Sequence, residues 1–254
     1  MNEIRAKKHL GQHFLTDVAI AKKIVNSLSL NSYKLILEVG PGTGVLTQFL
    51  MEKPHEIHAI ELDKESVSFL QSKFPKLSSR LYNQDLLSWK EPNSIGTNNY
   101  GLIGNYPYNI STQILFWMLD RRKQIPEMVG MFQKEVGQRI ASGPGSKNFG
   151  ITSVLTQAYY NVEYLFSVEP ECFSPPPKVN SGVIRLVKKA SEPGVEYRNL
   201  KLVVKTAFNQ RRKTLRNALK SLNFVDNKVL DSVSGKRAEQ LSVEQFISLA
   251  KSFE

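Results

Sequence analysis

Strand-like and helix-like segments alternate along the first two thirds of this chain. Short stretches typical of buried strands occur at Leu35–Val39, Ile57–Glu61, Arg80–Asn83, Tyr100–Asn105 and Glu127–Gln133. Helical patterns lie between them; for example, apolar residues recur on one helical face over Ile114–Leu119 after a candidate cap at Ser111. Such alternation predicts a parallel α/β sheet with helices on both faces.

Two more strand-like stretches follow, Val162–Val168 and Gly182–Val187, with Pro175-Pro176-Pro177 between them. They predict an antiparallel pair at the edge of the sheet, a common addition to parallel sheets. The expected fold class is therefore α/β, with a Rossmann-like, mostly parallel sheet of seven strands that has an antiparallel edge.

A change of composition at residues 188–194 marks a predicted linker. Beyond it, helical patterns occur at Leu202–Phe208, Thr214–Leu222, Val229–Val233 and Val243–Ala250. We therefore expect an α/β domain of residues 1–187 and a small all-helical domain of residues 188–254. The second domain contains 14 Lys and Arg against 7 Asp and Glu, so it carries +7 of the chain's formal charge of +11.

This charge asymmetry indicates an anionic partner, with nucleic acid favoured over a membrane surface. The densest basic stretch runs from Arg211 to Lys220. On a helix, Arg212, Arg216 and Lys220 would form one stripe, for which a solvated helix face is the alternative explanation. The predicted nucleic-acid contacts are Arg211, Arg212, Lys213, Arg216, Lys220, Lys147 and Lys178.

The composition also excludes several classes of protein. Cys172 is the only cysteine, so no disulfide can form within the chain, which fits a reducing, cytoplasmic location. No Cys/His cluster has zinc-ligand spacing, and no metal is expected. No apolar run approaches the roughly 18 residues of a membrane span, so we expect no membrane partner. Nothing in the sequence requires a dimer, and a monomer is expected.

Glycines follow the first predicted strand in the order Gly40-Pro41-Gly42-Thr43-Gly44, where they let the backbone approach a ligand closely. Glu61 lies 21 residues after Gly40, a position typical of a carboxylate that binds ribose hydroxyls. Asp85, after the third strand, is placed to accept from an adenine amine. A nucleoside without a pyrophosphate, such as S-adenosylmethionine, fits this set better than NAD, because Val45 replaces the third glycine of the dinucleotide pattern.

Asn105-Tyr106-Pro107-Tyr108 follows the fourth predicted strand. Asn105 supplies a side-chain carbonyl acceptor, Pro107 fixes φ and removes a competing N–H donor, and Tyr108 offers a face on which a base can stack. Together they suit the binding of a flat exocyclic amine beside a reactive group. A strand-to-helix turn is the alternative, since Asn and Pro are common in loops.

The order of these motifs resembles the class I methyltransferases that act on adenine N6. Two further segments, Gly11-Gln12-His13-Phe14-Leu15 and Phe173-Ser174-Pro175-Pro176-Pro177-Lys178-Val179-Asn180-Ser181, are similar to signatures of the rRNA adenine N6,N6-dimethyltransferase family. The resemblance continues to Lys236–Ser242 and so covers nearly the whole chain. It is strongest toward the bacterial small-subunit rRNA enzymes of that family.

The resemblance implies a set of site residues. The cofactor S-adenosylmethionine would contact His13, Leu15, Gly40, Gly42, Glu61, Asp85 and Asn105. The catalytic pocket would consist of Asn105, Tyr106, Pro107, Tyr108 and Phe173, with Phe173 on the face of the base opposite Tyr108. The chain departs from the family pattern at Tyr106, where Leu is usual, and at His13, where Asn is frequent. Residue 106 would contribute mainly its backbone carbonyl.

The implied activity is the dimethylation of N6 of two adjacent adenosines in a hairpin near the 3′ end of small-subunit (16S) rRNA, with the assembling 30S particle as partner. A 23S rRNA methyltransferase of the macrolide-resistance type, a non-catalytic rRNA-binding assembly factor and a DNA adenine methyltransferase are the alternatives. The Lys236–Ser242 segment favours the small-subunit enzymes. The presence of Gly40, Glu61, Asp85 and Asn105 argues against a loss of catalysis.

Overall fold

The computed structural model describes residues 4–92, 95–225 and 227–253. The chain divides into two units, Met1–Gly137 with Glu163–Lys188 and Gln138–Val162 with Lys189–Glu254. The first unit ends at Lys188 and the last segment of the second unit begins at Lys189. The predicted domain boundary, between residues 187 and 188, therefore differs from the observed one by a single residue. Residues 138–162, which the sequence analysis assigns to the first domain, group with the second unit.

Within the described ranges the structure has nine strands and ten α-helices. The strands are β1 (Phe14–Leu15), β2 (Leu35–Val39), β3 (Glu56–Ile60), β4 (Leu81–Tyr82), β5 (Tyr100–Asn105), β6 (Glu127–Gln133), β7 (Tyr160–Val168), β8 (Phe173–Ser174) and β9 (Ser181–Lys188). The helices are α1 (Val18–Val25), α2 (Thr47–Leu50), α3 (Lys64–Lys73), α4 (Ser111–Asp120), α5 (Lys134–Ala141), α6 (Ile151–Gln157), α7 (Tyr197–Asn209), α8 (Leu215–Ala218), α9 (Asn227–Val233) and α10 (Val243–Lys251).

Seven of the strands form one sheet in the order β4-β3-β2-β5-β6-β9-β7. The strands from β4 to β6 are paired in parallel, and β9 runs antiparallel to β6. The predicted sheet, mostly parallel with an antiparallel edge, is confirmed. The chain order reverses between β2 and β5, and at such a point a crevice opens outside the carboxyl ends of the strands. The Gly40 loop and Asn105 both lie at this edge.

The central strands are buried along almost their whole length. Parallel strands covered by helices on both faces bury both sets of side chains, so their apolar runs are continuous and easy to recognise. For this reason the predicted bounds of β2, β5 and β6 agree with the structure residue for residue. Helices α1 and α3 begin at Asp17 and Asp63, whose side chains accept the exposed backbone N–H groups of the first turn.

A second sheet, of two strands, pairs β1 antiparallel with β8 and sets Leu15 opposite Phe173. Thr16 extends the pairing, because its backbone N–H donates to the Cys172 carbonyl at 2.8 Å. Strands of two residues are too short to show alternation, so the sequence pattern predicts neither of them. The pairing ties the N-terminal segment to the Pro-rich loop.

The second unit is helical and has an aromatic core. Helix α7 buries the apolar face that runs from Leu200 to Ala207. At its end, the Phe208 ring stacks on Phe246 of α10 with ring centres 5.6 Å apart. Phe149 meets Phe208 edge-on at 6.2 Å. Phe149 belongs to residues 138–162, so this contact explains why that segment groups with the C-terminal helices.

The predicted basic stripe on a helix over Arg212, Arg216 and Lys220 is wrong. Helix α7 ends at Asn209, and α8 covers only Leu215–Ala218, so the Arg211–Lys213 residues lie in a turn. The cause is a different set of backbone partners. The N–H of Leu215 donates to the Lys236 carbonyl at 2.8 Å, and that of Arg216 donates to the Ser234 carbonyl at 3.1 Å. These bonds replace the helical bonds that a continuous helix would make.

In the part of the chain that the structure describes, no helix is long and apolar enough to cross a membrane. The same residues contain no cluster of three or more His, Cys, Asp or Glu side chains arranged to hold a metal ion.

Glu38 is a buried carboxyl in the central strand β2. One of its oxygens accepts the Thr47 hydroxyl at 2.7 Å, and Oε1 has no hydrogen-bond partner among the described residues. Burial raises the pKa of Glu38 to about 8, against the opposing hydrogen bond from Thr47. Because an unburied glutamate titrates near 4.5, the folded protein retains a proton here that the unfolded chain releases between pH 4.5 and 8. The contribution of Glu38 to the free energy of unfolding therefore falls as the pH rises through that window.

Replacing Glu38 with Gln should remove this pH dependence. Near pH 9 we expect Glu38→Gln to raise the free energy of unfolding by about 1–3 kcal/mol, because no unpaired buried charge remains. Near pH 4, where both forms are neutral, the gain should almost vanish. Urea denaturation at the two pH values measures the difference, with Glu52→Gln at an exposed position as control. An equal gain at both pH values would contradict the assignment of the proton to Glu38.

Candidate active site

A cavity opens at the carboxyl edge of the main sheet, where β2, β3 and β5 end. Its walls are five segments of the first unit: His9–Phe14, Val39–Gly40 with Gly42, Ile60–Leu62, Gln84–Leu87 and Asn105–Ile110. The predicted site residues Gly40, Gly42, Glu61, Asp85, His13 and the Asn105–Tyr108 motif therefore all meet at one place. No local pattern in the sequence requires these residues to meet. They meet because β2, β3 and β5 are neighbours in the sheet.

The glycine loop brings bare backbone to the cavity. Gly40 has a φ of +66°, and its N–H donates to the Ile60 carbonyl at 2.9 Å. A side chain at Gly40 would meet no atom within 4 Å, so open space lies beside it. A methyl group on Gly42, whose φ is +56°, would lie 2.9 Å from the Phe14 ring. Both positions therefore need glycine, the first for its backbone angle and the second also for space.

Glu61 is fixed by two backbone donors. Its Oε2 accepts from Gly42 N–H at 3.0 Å, and its Oε1 accepts from Asp63 N–H at 2.8 Å. Burial raises the pKa of Glu61, and these two hydrogen bonds act in the opposite direction. Each carboxylate oxygen can accept two hydrogen bonds, so each retains one acceptor position for a ligand hydroxyl. Two adjacent hydroxyls, as on a ribose, match this arrangement.

Asp85 and two exposed leucines complete the far wall. The Asp85 Oδ1 accepts from Leu87 N–H at 2.9 Å and so caps a short 3-10 helix. Among the described residues no donor reaches Oδ2, which is free to accept from an amine. Leu62 and Leu87 line the cavity and are 50% and 37% exposed. Apolar side chains beside a free acceptor suit the flat faces and the amine of an adenine.

Leu62 and Leu87 are not among the predicted site residues. The available signal was their position, since Leu62 directly follows Glu61 and Leu87 lies two residues after Asp85.

The N-terminal segment is held over the cavity by Asp63. The Lys7 ammonium pairs with Asp63 Oδ1 at 2.5 Å, and the Gln12 amide donates to Oδ2 at 3.4 Å. Burial acts to raise the pKa of Asp63, but the hydrogen bond from Lys7 and those from the neighbouring donors outweigh it and hold the pKa below its ordinary value. Gln12 also accepts the Lys7 backbone N–H at 2.7 Å. Lys7, Gln12 and Asp63 thus hold this wall of the cavity together, and none of them is among the predicted site residues.

Asn105 has a defined orientation. Its Nδ2 donates to the His13 backbone carbonyl at 2.9 Å. A carbonyl can only accept, so the amide nitrogen must face His13 and Oδ1 must lie on the other side. No donor from the described residues reaches Oδ1. The side chain thus presents an acceptor that is open to a ligand, as the sequence predicts.

The Tyr108 ring is held on one side. Its hydroxyl shares a hydrogen bond with the buried Ser181 hydroxyl at 2.5 Å, and burial raises the pKa of Tyr108. The His13 ring stacks on Tyr108 with ring centres 5.6 Å apart and planes inclined by 24°. His13 Nδ1–H donates to the Pro175 carbonyl at 2.8 Å, which fixes that ring too. The His13 ring therefore covers one face of Tyr108.

Two predicted site residues lie apart from the cavity. Leu15 is 2% exposed and Phe173 is 4% exposed; both belong to the hydrophobic core and face each other across the β1–β8 pair. Phe14 lines the cavity where Leu15 was expected. Tyr106 lines the cavity but is 1% exposed, so its ring belongs to the core.

The predicted nucleic-acid residues are exposed, apart from the half-buried Arg211. Lys178 belongs to the first unit, and the others belong to the second.

Comparison with known proteins places the chain in a family. The family model described as "Ribosomal RNA adenine dimethylase" matches residues 3–254. A protein of Flavobacterium johnsoniae named ribosomal RNA small subunit methyltransferase A is 51% identical, with 100% of this chain and 98% of that protein covered. A protein of the same name from Porphyromonas gingivalis is 52% identical, with 98% of both chains covered.

Two solved structures have the same fold. A dimethyladenosine transferase from Plasmodium falciparum gives a TM-score of 0.81 at 24% identity, with 93% of this chain and 96% of that chain covered. The 23S rRNA methyltransferase ErmE gives a TM-score of 0.73 at 24% identity, with 94% and 99% covered. At this identity the two structures support the class I methyltransferase fold alone.

The cavity residues suit the cofactor of such enzymes. Glu61 retains acceptors for two hydroxyls, Asp85 retains one for an amine, and Gly40 leaves open space beside bare backbone. The family match covers every residue that lines this cavity. The chain therefore belongs to the ribosomal RNA adenine dimethylase family, and it is a class I methyltransferase that uses S-adenosylmethionine.

Proposed function

We propose that this protein dimethylates N6 of two adjacent adenosines in a hairpin near the 3′ end of small-subunit (16S) rRNA. The observation that carries the proposal is the orientation of Asn105, whose Oδ1 is open to the cavity because Nδ2 is bound to His13. The names of the relatives at 51% and 52% identity favour the small subunit. The protein would act in the cytoplasm, as a monomer, on the assembling 30S particle.

S-adenosylmethionine, when bound, supplies an electrophilic methyl group on a sulfonium whose charge disperses as the methyl leaves. Glu61 would hold the ribose hydroxyls, and Asp85 Oδ2 would accept from the adenine amine of the cofactor. The backbone at Gly40 and Gly42 leaves room for the rest of the molecule. The N-terminal segment, held by the Lys7–Asp63 pair, covers the cavity and limits the access of water.

The substrate amine is a weak nucleophile, because its lone pair is conjugated with the adenine ring. Asn105 Oδ1 and the Tyr106 backbone carbonyl each accept one of its two N–H groups. This holds the nitrogen where its lone pair points at the methyl group. Transfer of the methyl group to this lone pair would convert the sulfonium to a thioether, and the methylated amine would release its extra proton after the attack. Such positioning can lower a barrier by roughly 7–11 kcal/mol.

The target base has to leave its stack to reach this cavity, at a cost of a few kcal/mol. It would stack on the face of Tyr108 that His13 leaves uncovered. The proposed second stacking partner, Phe173, is buried against Leu15, so that role requires the β1–β8 pair to open. His13 takes the place of the usual Asn, and its ring restricts the motion of Tyr108 by stacking on one face.

We propose that RNA phosphates bind to the turn Arg211–Lys213 of the second unit, which we call the basic turn. Arg212 and Lys213 are exposed there, as are Lys147, Arg216 and Lys220. Arg211 differs from them, because its guanidinium donates to the Lys147 carbonyl at 2.8 Å and lies 3.6 Å from the Glu239 carboxylate. Arg211 thus positions the loop that carries Lys147. Lys178 is the corresponding exposed cation of the first unit.

The substrate can be tested directly. Purified protein and labelled S-adenosylmethionine are incubated with 30S and 50S particles from a strain without this modification, and the label is then mapped. We expect N6,N6-dimethyladenosine at two adjacent positions of the small-subunit rRNA only. Label on large-subunit rRNA alone would favour the macrolide-resistance type of activity, and binding without label would favour a non-catalytic assembly factor.

The role of Asn105 can be separated from cofactor binding. Asn105→Ala should lower the single-turnover rate on small-subunit rRNA by about 100-fold or more, because the amine loses one of its two acceptors. Asn105→Asp should also be slow, because its second oxygen would face the His13 carbonyl and repel it. Calorimetry should show that both variants still bind the cofactor, and the exposed Asn161→Ala is the control. A near-normal rate for Asn105→Ala would remove Asn105 from the mechanism.

The phosphate contacts predict a salt dependence. Replacing Arg212 and Lys213 together with Ala should make the slope of log affinity against log salt shallower by about 1.4 to 1.8, since each phosphate contact contributes about 0.7 to 0.9. The double variant Lys76→Ala/Lys90→Ala removes the same charge from exposed positions of the first unit and should leave the slope unchanged. Equal slopes for the two double variants would exclude the basic turn from the RNA interface.

A further inference from the structure

Two glycines face each other beneath the candidate active site. Gly104 of β5 and Gly130 of β6 are register partners in the parallel pair. Neither carries a side chain, so one face of the sheet has a vacant space over the two strands at this level. The Tyr106 side chain points to the same face of the strand as position 104, because side chains alternate along a strand. We call the space between Gly104 and Gly130 the glycine slot.

The Tyr106 ring fills the glycine slot. A methyl group on Gly130 would overlap the ring carbon Cε2, and one on Gly104 would lie 2.7 Å from Cε1. The ring also meets Phe132 edge-on with ring centres 5.2 Å apart. The backbone N–H of Tyr106 donates to the Met131 carbonyl at 3.2 Å. Residue 106 is thus held against β6 by its ring and by its backbone.

The hydroxyl of Tyr106 does not explain this placement. It is buried and has no hydrogen-bond partner in the described part of the chain. A buried hydroxyl without a partner destabilises a fold. The fit of the ring, with its large apolar area, is therefore what keeps Tyr106 in the slot.

We propose that the Tyr106 ring and the glycine slot act as a positioning pair, which sets the place of the Tyr106 backbone carbonyl. The inference rests on the proposed function, in which that carbonyl accepts the second N–H of the substrate amine. A ring packed over Gly104 and Gly130 on one face of the sheet restricts the rotation of residue 106, and Pro107 restricts the backbone that follows. The pair also explains the aromatic residue here, since Gly130 vacates the volume that a larger ring needs.

The placement of the carbonyl matters most in the second methyl transfer. The unmodified amine has two N–H groups, and two acceptors hold it. The monomethylated amine has one N–H left, so a displaced carbonyl has a greater effect on its orientation. Disturbing the slot should therefore increase the proportion of monomethylated product, which a general loss of stability would not do.

The test places a methyl group in the slot and then makes room for it. Gly130→Ala should lower the single-turnover rate by about 100-fold, the effect of a displacement near 1 Å, while cofactor affinity stays close to that of the wild type. The ratio of monomethyladenosine to dimethyladenosine should rise. Gly130→Ala combined with Tyr106→Leu restores the packed volume, and its rate should return to within about tenfold of the wild type.

Three further variants make the outcome decisive. Tyr106→Phe keeps the ring and should be faster than both Tyr106→Leu and Gly130→Ala; if it is as slow as Tyr106→Leu, the hydroxyl acts and the inference is wrong. Tyr106→Leu alone should be slower than the double variant, because it leaves the slot partly empty. Gly235→Ala, where a methyl group meets no atom within 4 Å, is the control for a glycine change.

Measurements of solubility and melting temperature extend the test to variants that fold poorly. If Gly130→Ala is insoluble, a soluble and folded double variant supports the packing of the Tyr106 ring in the glycine slot, and an insoluble double variant overturns it. This readout does not depend on the RNA substrate. A wild-type protein that does not methylate small-subunit rRNA would refute the proposed function and leave the packing result intact. An active wild type with an equally active Gly130→Ala variant would refute the inference alone.

Discussion

The parallel register of β2, β3 and β5 is the constraint on which the site depends. Val39 lies opposite Ile60, and Glu38 lies opposite Ile103, so the three strands end at nearly the same level. Loops that leave neighbouring strands at one level emerge side by side. This places the Gly40 loop, Glu61 and Asn105 around one cavity, although they are far apart in the chain. The helices around the sheet hold this edge but contribute few of the polar groups.

The polar groups of the site share a second property. Each is bound by the backbone on one side and open on the other: Glu61 accepts two N–H groups, Asp85 accepts one, and Asn105 donates to a carbonyl. Their orientation therefore exists before a ligand arrives, and the remaining acceptors face the cavity. A site built in this way loses little conformational freedom on binding. The N-terminal segment belongs to the site for the same reason, because the His13 backbone carbonyl is the partner that orients Asn105.

The extent of successful sequence prediction follows the range of the interactions. Continuous apolar runs identified β2, β5 and β6, because burial on both faces leaves a local signature. The β1–β8 pair left none, since its stability comes from a partner more than 150 residues away rather than from its own pattern. The basic turn was mistaken for a helix for a related reason. The backbone of Leu215 and Arg216 binds the segment at Ser234–Lys236, which no local periodicity reveals.

The sequence by itself determined where the central strands lie along the chain, which polar residues stand at their ends and, through the family resemblance, the nature of the cofactor. These properties are local, because a residue type at a strand end is visible in a short window. Only the tertiary structure decided which way Asn105 points, that Phe173 and Leu15 are in the core, and why position 106 holds a tyrosine. The answer to the last lies at Gly130, on another strand. Complementary volumes on different strands become adjacent only when the sheet has formed, so no pattern along the chain can contain them.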